Sequence, residues 1–269
     1  MKSRKNFLVI GNPIKHSLSP LLHNYWFHKN KINCEYKKLK TKQSFIKKIL
    51  NKVRKREIEG INVTIPFKNS VIKHLDALKG DALKTSSVNT VYLSKKKLIG
   101  DNTDVYGFSL GILKKVKTRI KIAGIIGAGG VTSSIILALI QRGVKKIYIS
   151  NRTFSKLKTF KKKFKKVIYP IKWKDRYKAF VDVQILINVT SLGMLGQKDL
   201  KFDFSIFDKK INVVDIVYNP ENTRFLKDAR MKGHKTFTGL DMFIYQAQKA
   251  YYIWDFFYSK YNMPSELDK

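Results

Sequence analysis

Short apolar runs alternate with longer mixed stretches along most of the chain. The apolar runs have the length of single strands, and the stretches between them are long enough for helices. This alternation predicts repeated strand-helix-strand units on a largely parallel sheet, which is the α/β class. The predicted strands are NFLVIG, GINVTIP, IAGIIGAGG, KKIYISN, QILINVTS and INVVDIVY.

Helices are predicted after Ser19, after the glycine-rich turn in GIIGAGGVTSS, after Thr153, and from Met242 to about Tyr258. The segment 123–140 is apolar enough for a membrane helix. It contains four glycines and the polar run TSS, however. We therefore interpret it as a strand, a turn and a helix.

Length and composition predict a globular protein of two domains. A chain of 269 residues with 43% hydrophobic and 28% charged residues has enough apolar groups to bury a core. The single cysteine, Cys34, excludes a disulfide within the chain and favours a reducing compartment. The first apolar run stops at Pro13 and Lys15, too early for a secretion signal. We therefore expect a cytoplasmic protein.

The chain is strongly basic. It has 55 Lys and Arg against 19 Asp and Glu, a formal net charge of +36 and a pI near 10.1. A positive charge of this size attracts phosphate polymers, so non-specific nucleic-acid binding at low salt is expected. The lysines are spread along the chain with many Ile, Asn, Phe and Tyr residues, and no nucleic-acid reader motif accompanies them. Compositional drift is therefore favoured over a nucleic-acid function.

The glycine-rich turn indicates a dinucleotide site. Gly127, Gly129 and Gly130 follow a predicted strand and precede an apolar helix. In that setting bare backbone can approach a pyrophosphate at the N-terminus of the helix. The third position of the G-x-G-x-x-G pattern is Thr132, so a tight turn that binds nothing is the alternative.

The next predicted strand favours NADP over NAD. An NAD site needs an acid about 20 residues after the glycines, to hold the ribose 2′-hydroxyl. Here the strand ends in Asn151 and Arg152, and no Asp or Glu occurs between Asp104 and Asp175. A guanidinium can bind a 2′-phosphate with two hydrogen bonds. Arg152, with Thr153 and Lys156, is therefore interpreted as an NADP clamp, the alternative being an ordinary surface arginine.

Two serines near the N-terminus suggest a polar ligand. Side chains two residues apart on an extended backbone point the same way. Ser17 and Ser19 can then offer two hydroxyls to one polyol or carboxylate. Ser19 also precedes Pro20 at a predicted helix start, so an N-cap with proline at the first helical position is the alternative for it.

The segment GINVTIPFK is predicted to be a strand with one face for packing and one face for a ligand, and the ligand face includes a lysine. Period-2 alternation predicts two faces. One carries Val63, Ile65 and Phe67, and the other carries Asn62, Thr64 and Lys68. Asn89, Asp101, Asn102, Thr103 and Asp104 follow in SSVNT and GDNTDVYGF, where turns and caps are the default interpretation.

Taken together, these segments resemble the shikimate dehydrogenase family. The resemblance covers nearly the full chain in family order, through GNPIKHSLSP, NVTIPFK, VNT, GDNTDVYGF, GAGG, NRT, NVTSLGM, DIVYNP and GLDMFIYQA. It implies reversible reduction of 3-dehydroshikimate to shikimate with NADPH, in chorismate and aromatic amino acid biosynthesis. It also implies an α/β substrate domain and a doubly wound Rossmann domain for NADP, with a C-terminal helix that returns to the first domain.

The resemblance implies a role for each motif. Lys68 and Asp104 are similar to the family's catalytic pair. Contacts with the substrate ring are implied for Ser17, Ser19, Thr64, Lys68, Asn89, Asp104, Tyr218 and Gln246. Contacts with NADP are implied for Gly127, Ala128, Gly129, Gly130, Val131, Asn151, Arg152, Thr153, Lys156, Ile216 and Gly239. No metal is expected, and His16 and His23 are interpreted as structural residues.

The chemistry of the pair agrees with this role. A secondary alcohol that loses hydride must also lose its hydroxyl proton, so a base is needed within hydrogen-bond reach. A lysine can serve when desolvation lowers its pKa, whereas a nearby aspartate favours its ammonium form. We expect Lys68 to relay the proton and Asp104 to position Lys68 and a ring hydroxyl.

Two alternatives remain open. A quinate/shikimate dehydrogenase that uses NAD is disfavoured by Arg152 and by the missing acid. A basic nucleic-acid-binding protein on a dehydrogenase fold is the second alternative, because a fold does not determine a function.

Four positions depart from the family pattern. Val131 adds bulk beside the glycine turn, and Ser86 and Ser87 replace a Gly-Ala pair. Asp241 replaces a glycine. Its carboxylate is expected to lie near Gln246 and the nicotinamide, where it would repel an anionic ligand and weaken the enzyme.

The motifs also predict domain limits. Residues 1–104 are expected to form the substrate domain, completed by C-terminal helices in 238–269, and residues 105–237 the NADP domain. Ligands are expected in the cleft between the domains, at the carboxyl ends of the cofactor-domain strands. The expected assembly is a monomer or homodimer without a specific nucleic acid or a membrane as partner.

Overall fold

The protein was analysed as a computed structural model that describes residues 4–255. The chain divides into two compact units. Among the described residues, the first unit contains 4–104 and 246–255, and the second is Val105–Tyr245. The predicted two-domain α/β class is confirmed.

The first unit is built on a mixed six-stranded sheet in the order β2-β1-β3-β5-β6-β4. Its strands are β1 (Lys5–Gly11), β2 (Cys34–Lys40), β3 (Gly60–Val63), β4 (Ala77–Leu78), β5 (Thr90–Ser94) and β6 (Lys97–Asp101). Its helices are α1 (Ser19–Lys29), α2 (Ile46–Arg54) and α3 (Asp81–Thr85). Strand β1 pairs in parallel with β2 and β3, whereas β5 pairs antiparallel with β3 and β6.

Two apolar clusters stabilise this unit. Successive residues of β1 alternate between them, because side chains on a strand point to opposite faces. Phe7 and Val9 pack in a mainly aromatic cluster with residues of α1, and Ile10 packs in a second cluster with residues of α2. The second cluster takes Ile46, Ile49, Leu50 and Val53 of α2, which are spaced as one face of a helix.

His23 is part of the aromatic cluster. Its ring stacks on Tyr36 with centroids 4.3 Å apart, and it is fully buried. Within residues 4–255 neither ring nitrogen has a hydrogen-bond partner. Burial lowers the pKa of His23 to about 3, so the ring is neutral at ordinary pH. The residue acts in packing, in agreement with its interpretation as structural.

The second unit is built on a parallel six-stranded sheet in the order β12-β11-β10-β7-β8-β9. Its strands are β7 (Ile122–Ile126), β8 (Lys146–Ser150), β9 (Ile168–Ile171), β10 (Ile185–Asn188), β11 (Asn212–Asp215) and β12 (Lys235–Phe237). Its helices are α4 (Asp104–Gly111), which starts at the last residue of the first unit, α5 (Thr132–Gln141), α6 (Leu157–Phe164), α7 (Arg176–Phe180) and α8 (Arg224–Met231). Helix α9 (Gly239–Asp255) contributes to both units.

The apolar segment 123–140 forms most of β7, a turn and most of α5, as predicted. All residues of α5 from Thr132 to Leu139 are buried. Burial in a protein core therefore accounts for their hydropathy. None of the helices in the described part of the chain has the length and apolar character needed to cross a membrane.

The second domain limit differs from the prediction. The predicted limit lies between residues 237 and 238, whereas the second unit extends to Tyr245. The reason is that the start of α9 packs within the second unit, where Met242 belongs to the core and Gly239 lies against the Ile216 carbonyl. The predicted helix from Met242 to about Tyr258 corresponds to α9, and residues 256–258 lie outside the described residues.

Candidate functional site

The first unit contains a buried ion pair between two of the predicted site residues, Lys68 and Asp104. The Nζ atom of Lys68 donates to Oδ2 of Asp104 at 2.6 Å, and the two side chains are 11% and 5% exposed. The second carboxylate oxygen, Oδ1, accepts from Asn89 Nδ2 at 3.0 Å. An amine held this close to a carboxylate and largely out of water can exchange a proton with a bound alcohol or ketone.

Local hydrogen bonds place the two charged residues. Lys68 follows a turn after β3, and its carbonyl accepts from the backbone N–H of Val88 at 2.8 Å. Asp104 begins α4, and its N–H donates to Asn102 Oδ1 at 3.0 Å. Asn102 thus fulfils the expected turn-and-cap role.

Asn89 connects Asp104 with two further polar residues. Its Nδ2 also donates to Thr103 Oγ1 at 2.8 Å and to Gln246 Oε1 at 3.3 Å. Its Oδ1 accepts from the Thr103 backbone N–H at 2.8 Å. Four of the predicted substrate residues, Lys68, Asn89, Asp104 and Gln246, therefore form one hydrogen-bonded cluster. Gln246 reaches it from α9.

The two serines meet in a different way from the one predicted. The Ser17 hydroxyl donates to Ser19 Oγ at 3.3 Å, so both hydroxyls lie together. The backbone between them is not extended, because Leu18 has helical angles (φ −89°, ψ −2°). Leu18 also occupies the N-cap position, and α1 has no side-chain cap. The extended-strand interpretation and the N-cap alternative for Ser19 are both wrong, because α1 starts at Ser19 itself.

Thr64 lies beside the loop that carries these serines. Its N–H donates to the Ile10 carbonyl, and a Cβ added to Gly11 would meet Thr64 Cγ2 at 2.5 Å. The predicted face shared by Val63, Ile65 and Phe67 is only partly formed, since Ile65 is 51% exposed. Strand β3 ends at Val63 and the chain turns there, so the period-2 alternation stops.

Tyr218 belongs to the second unit, whereas the other predicted substrate residues belong to the first. Its ring stacks on Phe243 with centroids 4.5 Å apart.

The glycine turn of the second unit leaves its backbone accessible. Gly127 has φ +118°, which a side chain would strain, and a Cβ there would meet Thr190 Cγ2 at 2.8 Å. A Cβ on Gly129 would meet only the Val189 carbonyl, at 3.8 Å. Helix α5 starts at Thr132, so the turn leads into a helix N-terminus. These features fit a pyrophosphate.

The residues around this turn are arranged by the sheet. Ala128 and Val131 pack partly on the core of the second unit, so the added bulk of Val131 is accommodated there. Gly127 N–H donates to the Ser150 carbonyl at 2.8 Å. This bond joins the turn after β7 to the end of β8.

The end of β8 carries the predicted clamp. Arg152, Thr153 and Lys156 are exposed, and Asn151 donates through Nδ2 to the Thr153 carbonyl at 2.9 Å. Among the side chains of residues 4–254, no carboxylate forms an ion pair with Arg152. The guanidinium is not occupied by any of these acids, which suits the binding of a 2′-phosphate.

Ile216 and Gly239 lie against each other. The first follows β11 and the second begins α9. A Cβ on Gly239 would collide with the Ile216 carbonyl oxygen, which explains the glycine. The two predicted cofactor contacts therefore belong to one location.

The sequence did not reveal the residues whose hydrogen bonds stabilise the loops after β10 and β11. Asp215 is completely buried, and it accepts from Thr223 Oγ1 at 2.7 Å and from Asn188 Nδ2 and Val217 N–H at 3.0 Å each. Burial raises the pKa of Asp215 to about 6, against the opposing effect of these donors. The motifs NVTSLGM and DIVYNP contain Asn188 and Asp215, but a polar residue at the end of an apolar strand does not reveal its partners.

The structure bears on two of the departures. Ser86 has φ +49°, in the left-handed region that favours glycine, so the serine at this position is strained. Asp241 pairs with Lys115 Nζ at 2.7 Å. The expected repulsion by a free carboxylate is therefore not supported, because a cation of the same unit neutralises it.

Two family models match this chain. The family model for the shikimate dehydrogenase substrate-binding domain matches residues 9–91, and the model for shikimate/quinate 5-dehydrogenase matches residues 112–222. A shikimate dehydrogenase (NADP(+)) from Pelagibacter ubique is 46% identical over 93% of both chains. The chain belongs to the shikimate dehydrogenase family. The resemblance predicted from the sequence is thus confirmed.

Solved structures of this family have the same fold. Shikimate 5-dehydrogenase from Thermus thermophilus, solved in complex with NADP(H) and shikimate, has a TM-score of 0.83 and 29% identity over 93% of both chains. Shikimate 5-dehydrogenase from Listeria monocytogenes, solved with shikimate and NAD, has a TM-score of 0.85 and 29% identity over 98% of this chain and 94% of that one.

Proposed function

We propose that the protein is an oxidoreductase that reversibly reduces 3-dehydroshikimate to shikimate with NADPH, in chorismate and aromatic amino acid biosynthesis. Membership of the family supports this reaction, as does the NADP-dependent relative at 46% identity. The observation that carries it is the buried contact of 2.6 Å between Lys68 and Asp104, which supplies a proton-transfer group.

In this proposal Lys68 moves the proton. NADPH, when bound, supplies the hydride. During reduction the Lys68 ammonium donates a proton to the oxygen that becomes the hydroxyl, and during oxidation its amine takes that proton back. Asp104 orients Lys68 and accepts a hydrogen bond from a ring hydroxyl. The remaining hydroxyls and the carboxylate of the substrate are bound by Ser17, Ser19, Thr64, Asn89, Tyr218 and Gln246.

The cofactor is held by the second unit in this proposal. The backbone of the turn Gly127–Val131 binds the pyrophosphate, with Ile216 and Gly239 as further contacts. Arg152, with Asn151, Thr153 and Lys156, binds the adenosine 2′-phosphate, because its exposed guanidinium has no acidic partner in the described part of the chain.

The test is an assay of the purified protein with shikimate and either NADP or NAD, following absorbance of the reduced cofactor. The proposal expects turnover with NADP and a lower kcat/KM with NAD. A kcat/KM with NAD equal to or higher than that with NADP would instead identify the protein as an NAD-dependent quinate/shikimate dehydrogenase. No turnover with either cofactor, together with DNA or RNA binding that survives near-physiological salt, would favour the nucleic-acid alternative.

We also propose a cytoplasmic monomer or homodimer without a specific nucleic-acid partner.

A further inference from the structure

A row of buried hydrogen bonds leads from the edge of the first unit's sheet to Asp104. Tyr36 on β2 donates from Oη to Asn62 Oδ1 at 2.7 Å. Asn62 Nδ2 donates to Thr90 Oγ1 at 3.2 Å, and the Thr90 hydroxyl donates to Asn89 Oδ1 at 3.1 Å. Asn89 Nδ2 then donates to Asp104 Oδ1. The row therefore crosses from β2 through β3 and β5 to the start of α4.

Backbone groups determine the direction of this row. The Asn89 carbonyl can only accept, and Asn62 Nδ2 donates to it at 3.0 Å, so Asn62 must turn Oδ1 towards Tyr36. The Thr103 N–H can only donate, and it donates to Asn89 Oδ1, so Asn89 must turn Nδ2 towards Asp104. Every donor in the row consequently points towards the carboxylate. Hydrogen bonds aligned in this way polarise one another.

Tyr36 is firmly held at the start of the row. It is 1% exposed, and both of its backbone groups bond to the Asn24 side chain, at 2.8 and 2.9 Å. Its ring stacks on His23. The hydroxyl is thus fixed in direction as well as in position, and its only proton is directed at Asn62.

We propose that Tyr36 is a positioning residue for Asp104, acting through Asn62, Thr90 and Asn89. This inference rests on the proposed function, which gives Asp104 its role in catalysis. The Thr103 N–H sets the direction of the Asn89 amide, and the row adds a second donor to its Oδ1 and polarises it. The amide holds one carboxylate oxygen of Asp104, and the other oxygen is presented to Lys68.

The kinetic test is Tyr36→Phe, with Tyr251→Phe as the matched control. Tyr251 is 3% exposed and lies in the same aromatic cluster, and its Oη accepts from Asn30, which is not a residue of the row. Tyr36→Phe leaves Asn62 Oδ1 buried without its donor. We expect kcat to fall about 5- to 30-fold with KM for shikimate changed less than about twofold. Tyr251→Phe is expected to leave both constants close to those of the wild type.

A double-mutant cycle tests whether the effect passes through Asp104. In the Asp104→Asn background, Tyr36→Phe should lower the residual kcat by less than about twofold, because the carboxylate it acts on is gone. A loss as large as that in the wild type would overturn the inference and assign Tyr36 a general structural role.

A spectroscopic measurement makes the test independent of activity. In protein labelled with ¹⁵N-asparagine, Tyr36→Phe should shift the side-chain amide proton signals of Asn62 and Asn89, and Tyr251→Phe should shift neither. An unchanged Asn89 signal in Tyr36→Phe would overturn the inference even if the enzyme is active. A wild-type protein without turnover would contradict the proposed function alone, and the amide signals would still decide whether the row acts on Asn89.

Discussion

The two units hold their candidate ligand-binding residues in opposite ways. In the first unit Lys68, Asn89 and Asp104 are buried and bonded to one another. In the second unit Arg152 is exposed, and the backbone at Gly129 has open space around it. The first set of residues is organised before any ligand arrives, whereas the second offers groups that a ligand must organise.

The contrast indicates which property of the enzyme each unit controls. Preorganised buried charges favour a reacting group without reorganisation during the reaction. An exposed cation loses hydration and rotamer freedom when it binds, so it contributes moderate affinity and mainly selectivity. Substitutions in the first unit should therefore affect turnover, and those at the exposed clamp should affect the choice of cofactor.

The largest effect is expected from Lys68→Ala. Loss of the proton-transfer group should lower kcat by about 10²- to 10⁴-fold, with a modest change in KM, in steady-state assays of shikimate oxidation. Lys84→Ala, at an exposed lysine of α3, is the control and should leave kcat unchanged. A wild-type kcat in Lys68→Ala would remove the assignment of this residue.

Arg152→Ala should have the next largest effect. Loss of a charge-assisted contact with the 2′-phosphate should weaken NADP binding about 10- to 100-fold and leave NAD binding nearly unchanged, as measured by fluorescence titration of each reduced cofactor. The control is Lys158→Ala, which removes an exposed cation on α6. Equal losses for both cofactors would contradict the clamp.

Asp215 gives a pH dependence of stability in the second unit. Because burial raises its pKa to about 6, the folded protein retains a proton that the unfolded chain has released between about pH 4 and pH 6. The free energy of unfolding should therefore fall as pH rises through this window, by about 3 kcal/mol. Urea unfolding of Asp215→Asn should lack this component, and identical pH profiles for the two proteins would disprove it.

The smallest effect is expected from Asp241→Asn. Both partners of the Lys115 pair are partly exposed, so its loss should change stability by less than about 1 kcal/mol. KM for NADP should change by less than about twofold, because the carboxylate is already paired. A large gain in NADP affinity would show that Asp241 repels the cofactor after all.

Much of the fold was predictable from apolar runs. The strands β1, β3, β7, β8, β10 and β11 correspond to the six predicted runs, since buried parallel strands are continuously apolar. Strand β2 was not predicted, because it lies at the sheet edge, where its residues Lys37–Lys40 are exposed and carry no apolar pattern. Strand β4 has only two residues, too few for any periodicity.

The candidate site was predictable as a set of residues, but its geometry was not. The motifs supplied Lys68 and Asp104, which lie 36 positions apart, and nothing in their spacing gives their contact of 2.6 Å. The backbone conformation at Leu18 and the turn after Val63 depend on tertiary packing, and the pattern of apolar and polar residues does not predict them. The Lys115 partner of Asp241 could not be foreseen for the same reason, since it is distant in sequence.

The polarity of the row from Tyr36 to Asp104 limits how this region can evolve. Because Asn62, Thr90 and Asn89 each accept a hydrogen bond from one neighbour in the row and donate one to the next, a replacement that exchanges donor for acceptor leaves a mismatch on both sides. Substitutions that preserve activity must therefore replace neighbouring residues of the row together.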